Sequence, residues 1–152
     1  MTRSLLVLGL VAASLAQPLW SPVLLVATAQ EKTDQDLIQG AWKCVTLERQ
    51  GKVNKGPFIG EKWVFKGKEV IVYHEDKVRA QGTFVLDPEK KPKTITITGT
   101  DGDLQGKTVL GIYRIEKNTL TLCNDVNGDE RPKEFSGAGK PLLLTFERMK
   151  SE

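Results

Sequence analysis

Few side chains in this sequence have the types and spacing that chemistry needs. His74 is the sole histidine. A histidine-activated nucleophile needs a hydroxyl or thiol beside the ring and an acid to orient it. Past residue 29 the serines are Ser136 and Ser151, and neither stands in a nucleophile-elbow context. His74 precedes Glu75 and Asp76 at an expected turn, so a solvated turn residue is favoured over a catalytic one. The run "NDVNGDE" (124–130) gathers acids and amides. Asp125, Asn127 and Asp129 have the first three spacings of a calcium loop, but Gly128 comes too early and Ser136 stands where a bidentate glutamate belongs. A polar β-loop is the favoured reading over a cation site. With no triad, no His/Cys metal cluster and no phosphate loop in the sequence, the expectation is a protein that is not an enzyme and uses no cofactor or metal.

Residues suited to packing or binding are better represented. Gly40-Ala41-Trp42 places a tryptophan two residues after a glycine, at the head of a strand-like run that includes Cys44. Such a Trp is either a platform for a ligand or a tile across the end of a barrel. The chain beyond Trp42 is overwhelmingly β in pattern. Strands are expected at Trp42–Arg49, Glu61–Lys66, Glu69–His74, Lys77–Leu86, Lys93–Thr98, Lys107–Ile115, Thr119–Cys123 and Pro141–Arg148. Tight turns separate most of them, and longer loops run from Lys55 to Gly60, Gly99 to Gly106 and Asn124 to Lys140. Residues 30–40 form a linker with a short helical turn, capped by Thr33 or Asp34, with Leu37 and Ile38 facing the body.

Eight strands joined by hairpins make an antiparallel meander that can close into an up-and-down barrel and so remove exposed edges. The fold class expected is therefore all-β, a lipocalin-like eight-stranded barrel of residues 41–150 with a short N-terminal helical turn. Inward lines include Trp63/Phe65, Val70/Val72, Phe84/Leu86, Ile95/Ile97, Tyr113/Ile115, Leu120/Leu122 and Leu144/Phe146. Ala80, Gly82 and Gly111 are small and lie on these lines; they either let the strands coil or leave room for a ligand. Alternating strand directions put the three long loops at one end, the expected mouth. In the last loop, Phe135 is read as plugging the rim and Arg131 as pairing with Glu134 or a backbone carbonyl, in preference to contacting a ligand. Arg148, near the end of the last strand, is a candidate to stack on Trp42 where the barrel closes.

The first 29 residues stand apart. Arg3 is their one charge, "LLVLGLVAASLA" (5–16) has the length of a signal-peptide core, and Ala27-Thr28-Ala29 is an A-x-A pattern before Gln30. Pro18 and Pro22 interrupt the run, which disfavours a membrane-spanning helix. Residues 1–29 are thus expected to be a cleaved signal peptide, sending the chain to the periplasm or outside the cell. The formal charge of +3 is spread along the chain, unlike the footprint of a nucleic-acid binder. Export permits disulfides. A Cys44–Cys123 bridge would close a long loop and could add roughly 4 kcal/mol. In a closed meander, however, their strands are not neighbours, and two separate buried thiols are the other reading.

The stretches "DLIQGAWKCVTLERQGK", "KWVFKGKEVIV", "GTFVLDPEKKPKTITIT", "GKTVLGIYRIEKNTLTLC" and "ERPKEFSGAGKPLLLTFER" resemble a family of uncharacterised lipocalin-like domains abundant in planctomycetes. The Gly-x-Trp after a helical turn is similar to the signature of the wider lipocalin superfamily, in which that Trp packs across the closed end. The resemblance spans about residues 36–148. It implies a barrel, an exported setting and structural roles for Gly40, Trp42 and Arg148, but no activity. Two functions are then expected. One is the binding of a small apolar ligand in the lumen, among Trp42, Phe65, Phe84, Tyr113 and Phe146. The other is a packed structural or protein-interaction domain of the cell envelope, with those side chains filling the lumen.

Overall fold

The computed structural model describes residues 30–54, 56–125 and 127–150. The signal-peptide expectation for residues 1–29 lies outside them. Thr33 caps a four-residue helix, α1 (Asp34–Leu37), in a capping box: its hydroxyl accepts from the Asp36 amide and the Asp36 carboxylate accepts from the Thr33 amide. Nine strands follow: β1 (Gly40–Arg49), β2 (Lys52–Asn54), β3 (Lys62–Lys66), β4 (Glu69–His74), β5 (Lys77–Asp87), β6 (Thr94–Gly102), β7 (Thr108–Glu116), β8 (Thr119–Asp125) and β9 (Leu142–Arg148). From β3 to β9 each strand pairs antiparallel with the next, and β1 pairs with both β3 and β9. Those pairings close an eight-stranded barrel, the expected architecture. Among the described residues no helix is long and apolar enough to cross a membrane.

The differences from the expected elements have local causes. Gln50 and Gly51 both adopt positive φ, so the chain reverses in two residues and Lys52–Asn54 pairs back on β1 as a short ninth strand outside the barrel. β6 runs past Thr98 to Gly102 because Gly82 of β5 and Gly102 of β6, lacking side chains, let the two strands approach closely. A Cβ on Gly82 would stand 2.6 Å from the Thr98 carbonyl oxygen. β8 continues to Asp125, which pairs with Leu110 of β7.

The core is the inward row of every barrel strand. Trp42, Phe65, Phe84, Tyr113 and Phe146 are each no more than 2% exposed. The ring of Phe84 stands edge-on to Phe65 at 5.1 Å, and Trp63 packs tilted on Phe146 at 5.2 Å. The long segment between β8 and β9 lies over the outer face of the sheet. It covers Ile112 and Cys123, which are buried yet stand apart from the barrel core. Arg131 anchors it by donating to the carbonyl oxygens of Ile95 and Gly111 and to the Thr96 hydroxyl. Phe135 does not plug the rim: it lies under the Arg114 guanidinium, 5.1 Å from ring centre, on the outside.

Candidate functional site

One end of the barrel is sealed. Trp42 is fully buried and donates its indole N–H to the Ile38 carbonyl at 2.7 Å. The Arg148 guanidinium lies over its ring at 4.1 Å and donates to the carbonyls of Leu37 and Gln39 at 2.6 and 2.8 Å. Gly40, at φ 107°, turns the chain into β1 with Arg148 beside it. The helical turn is tied down again by Asp34, which accepts from Tyr113 at 2.6 Å and Lys93 at 2.7 Å. Burial pushes the Asp34 carboxyl up, but those two bonds and the Lys93 charge outweigh it and hold the group below its ordinary value. Burial of Tyr113, with its bond to Asp34 and the Asp34 charge, pushes the phenol well up.

The opposite end is built differently. A cavity of about 70 Å³ lies in the lumen there. Strand residues Trp63, Val72, Ala80, Ile97, Val109, Leu142 and Leu144 give it apolar walls, Asn124, Glu61, Arg79 and Asp103 add polar groups, and Phe58 and Leu104 from the loops close it. Phe58 and Leu104 also line a wider outer depression of about 530 Å³, with Arg79, Asp103, Lys107 and Asn127. They therefore stand between cavity and solvent. None of Trp42, Phe65, Phe84, Tyr113 and Phe146 lines the cavity; they fill the barrel elsewhere.

The rim of this mouth carries a charged cluster that sequence reasoning missed. Glu61 is 1% exposed. Its carboxylate accepts from the Trp63 indole N–H at 3.3 Å and from the Arg79 guanidinium, and His74 Nδ1 stands 3.9 Å away. Arg79 also donates to Asp103 at 2.7 Å, which holds the Asp103 carboxyl below its ordinary value. One guanidinium thus ties the start of β3 to the loop after β6. Arg79 can do so because it is the extra residue of a β-bulge: Val72 pairs with Ala80 and Tyr73 with Val78, so Arg79 has no partner in the ladder and is re-aimed toward the mouth. The alternation Glu61-Trp63-Phe65 and Leu120-Leu122-Asn124 was the available signal for the other two polar residues, since it places Glu61 and Asn124 on inward faces.

Other sequence candidates fall away from this mouth chemistry. Both oxygens of Asp125 accept backbone amides, from Asn127 at 2.9 Å and Glu130 at 3.3 Å, so its carboxylate organises the loop. Among the described residues no group of three or more His, Cys, Asp or Glu side chains is placed to hold a metal ion. Cys44 and Cys123 are free thiols on opposite faces of the sheet: Cys44 pairs with inward-facing Phe146, Cys123 with outward-facing Leu143. Burial, with the Glu61 charge, pushes the Cys44 thiol up to about 12. No protein-family profile, curated protein or solved structure matches this chain.

Proposed function

We propose that the chain is an exported lipocalin-like barrel domain that binds a small, largely apolar ligand at its mouth, under Phe58 and Leu104, and not along the full depth of the lumen. The observation that carries this reading is the pairing of a largely apolar cavity with an outer depression, divided by Phe58, Leu104 and the Arg79–Asp103 ion pair. Membership of the planctomycete lipocalin-like family belongs to the proposal and rests on the sequence motifs that carry the resemblance. A second reading is a packed interaction domain of the envelope. The filling of the barrel by Trp42, Phe65, Phe84, Tyr113 and Phe146 favours it. Native mass spectrometry of the protein purified from its own cells tests the choice. A bound small molecule that leaves on denaturation is expected; uniformly ligand-free protein, recovered instead with an envelope protein, contradicts it.

A further inference from the structure

Asn124 is 2% exposed and lines the mouth cavity, yet its Oδ1 has no hydrogen-bond partner among the described residues. Among those residues, every other buried side-chain nitrogen or oxygen has one. A buried acceptor left open is costly, so a native fold that keeps one is expected to meet it with something. The site is also shaped around that oxygen. Gly111, opposite Asn124 in the β7–β8 ladder, has no side chain, and Oδ1 takes the space one would fill: a Cβ there would stand 2.1 Å from it. The neighbouring acids are already engaged: Glu61 by Trp63 and Arg79, Asp103 by Arg79.

Resting on the mouth-binding reading, we infer that this cavity selects a ligand with a hydrogen-bond donor, a hydroxyl or amide N–H, presented to Asn124 Oδ1. Its apolar body lies against Trp63, Val72, Ile97 and Leu144. A molecule of the same shape without a donor leaves the oxygen unmet and dehydrated, and binds worse although it is the more hydrophobic of the two. A cavity of about 70 Å³ takes only a slender group, such as the hydroxyl-bearing end of an alkyl chain.

The probes are pentan-1-ol and 1-fluoropentane, titrated separately into the isotope-labelled full chain. Binding is followed through the Asn124 side-chain amide and the Trp63 indole N–H in nitrogen–proton correlation spectra. Pentan-1-ol is expected to shift both resonances saturably, with 1-fluoropentane about tenfold weaker or more. In Asn124→Leu the preference is expected to vanish, both probes binding alike. Equal binding of the two probes to the unaltered protein overturns the inference and assigns an ordered water to Oδ1; that comparison stands even if Asn124→Leu does not fold. A preference that survives in Asn124→Leu overturns it too. If neither probe moves either resonance, the mouth-binding reading fails and takes this inference with it.

Discussion

At the scale of single residues, the sealed end is where side chains are most tightly specified. Trp42 has its ring between the core and the Arg148 guanidinium and its N–H on Ile38. Trp42→Ala is expected to lower stability by about 3–5 kcal/mol in a urea titration. A variant that keeps its melting temperature but loses a bound ligand would make Trp42 a ligand platform after all. Asp34 gives a pH dependence with a definite sign. Its folded value lies below the ordinary 3.8, so the stability it adds is present above that value and is lost as the pH falls through the folded one. Urea titrations from pH 7 to pH 2 should therefore show Asp34→Asn less stable than the parent at neutral pH, with the gap closing in acid. Equal stabilities at neutral pH would contradict the assignment. Cys44, its thiol pushed up to about 12 by burial, is expected to resist a thiol reagent such as DTNB until urea unfolds the chain. Rapid labelling of Cys44 in the native protein would show that the barrel opens where it stands closed.

At the scale of elements, the glycines decide how the mouth is roofed. A Cβ on Gly99 would stand 1.6 Å from the Leu104 carbonyl oxygen, so the loop can fold over the lumen only because that position is bare. Gly99→Ala is expected to destabilise by about 1–3 kcal/mol and to raise amide exchange in residues 102–107. A variant as stable as its parent, with that loop unchanged, would contradict the close approach. The strand pattern was legible from alternation, and Arg148 could be placed near Trp42 because the first and last strands must meet. The extension of β6 was not, because glycines that allow close strand approach read in sequence as loop. The mouth cluster was half legible. Glu61 and Asn124 fall on inward faces by simple alternation, but Arg79 reaches the rim through a bulge set by the pairing of β4 with β5, which no local pattern records. Phe135 was misplaced because an aromatic in a loop does not disclose which side of the sheet the loop covers.

At the scale of the whole molecule, the barrel is asymmetric from end to end. One end is a tile of Trp42, Arg148 and the capped helical turn, and the other holds a small apolar cavity beneath two loop side chains with an ionic latch at its rim. The five aromatic residues Trp42, Phe65, Phe84, Tyr113 and Phe146 give the rest of the barrel a solid interior, which confines any ligand to the mouth. A ligand held in the mouth cavity is displaced when that space is filled. Ala80 lines the cavity and is 3% exposed, so Ala80→Leu puts a larger side chain into that space. Native mass spectrometry of parent and Ala80→Leu, purified from the same cells, is predicted to find a small molecule on the parent and none on the folded variant. The same molecule on both, or on neither, would contradict binding at the mouth.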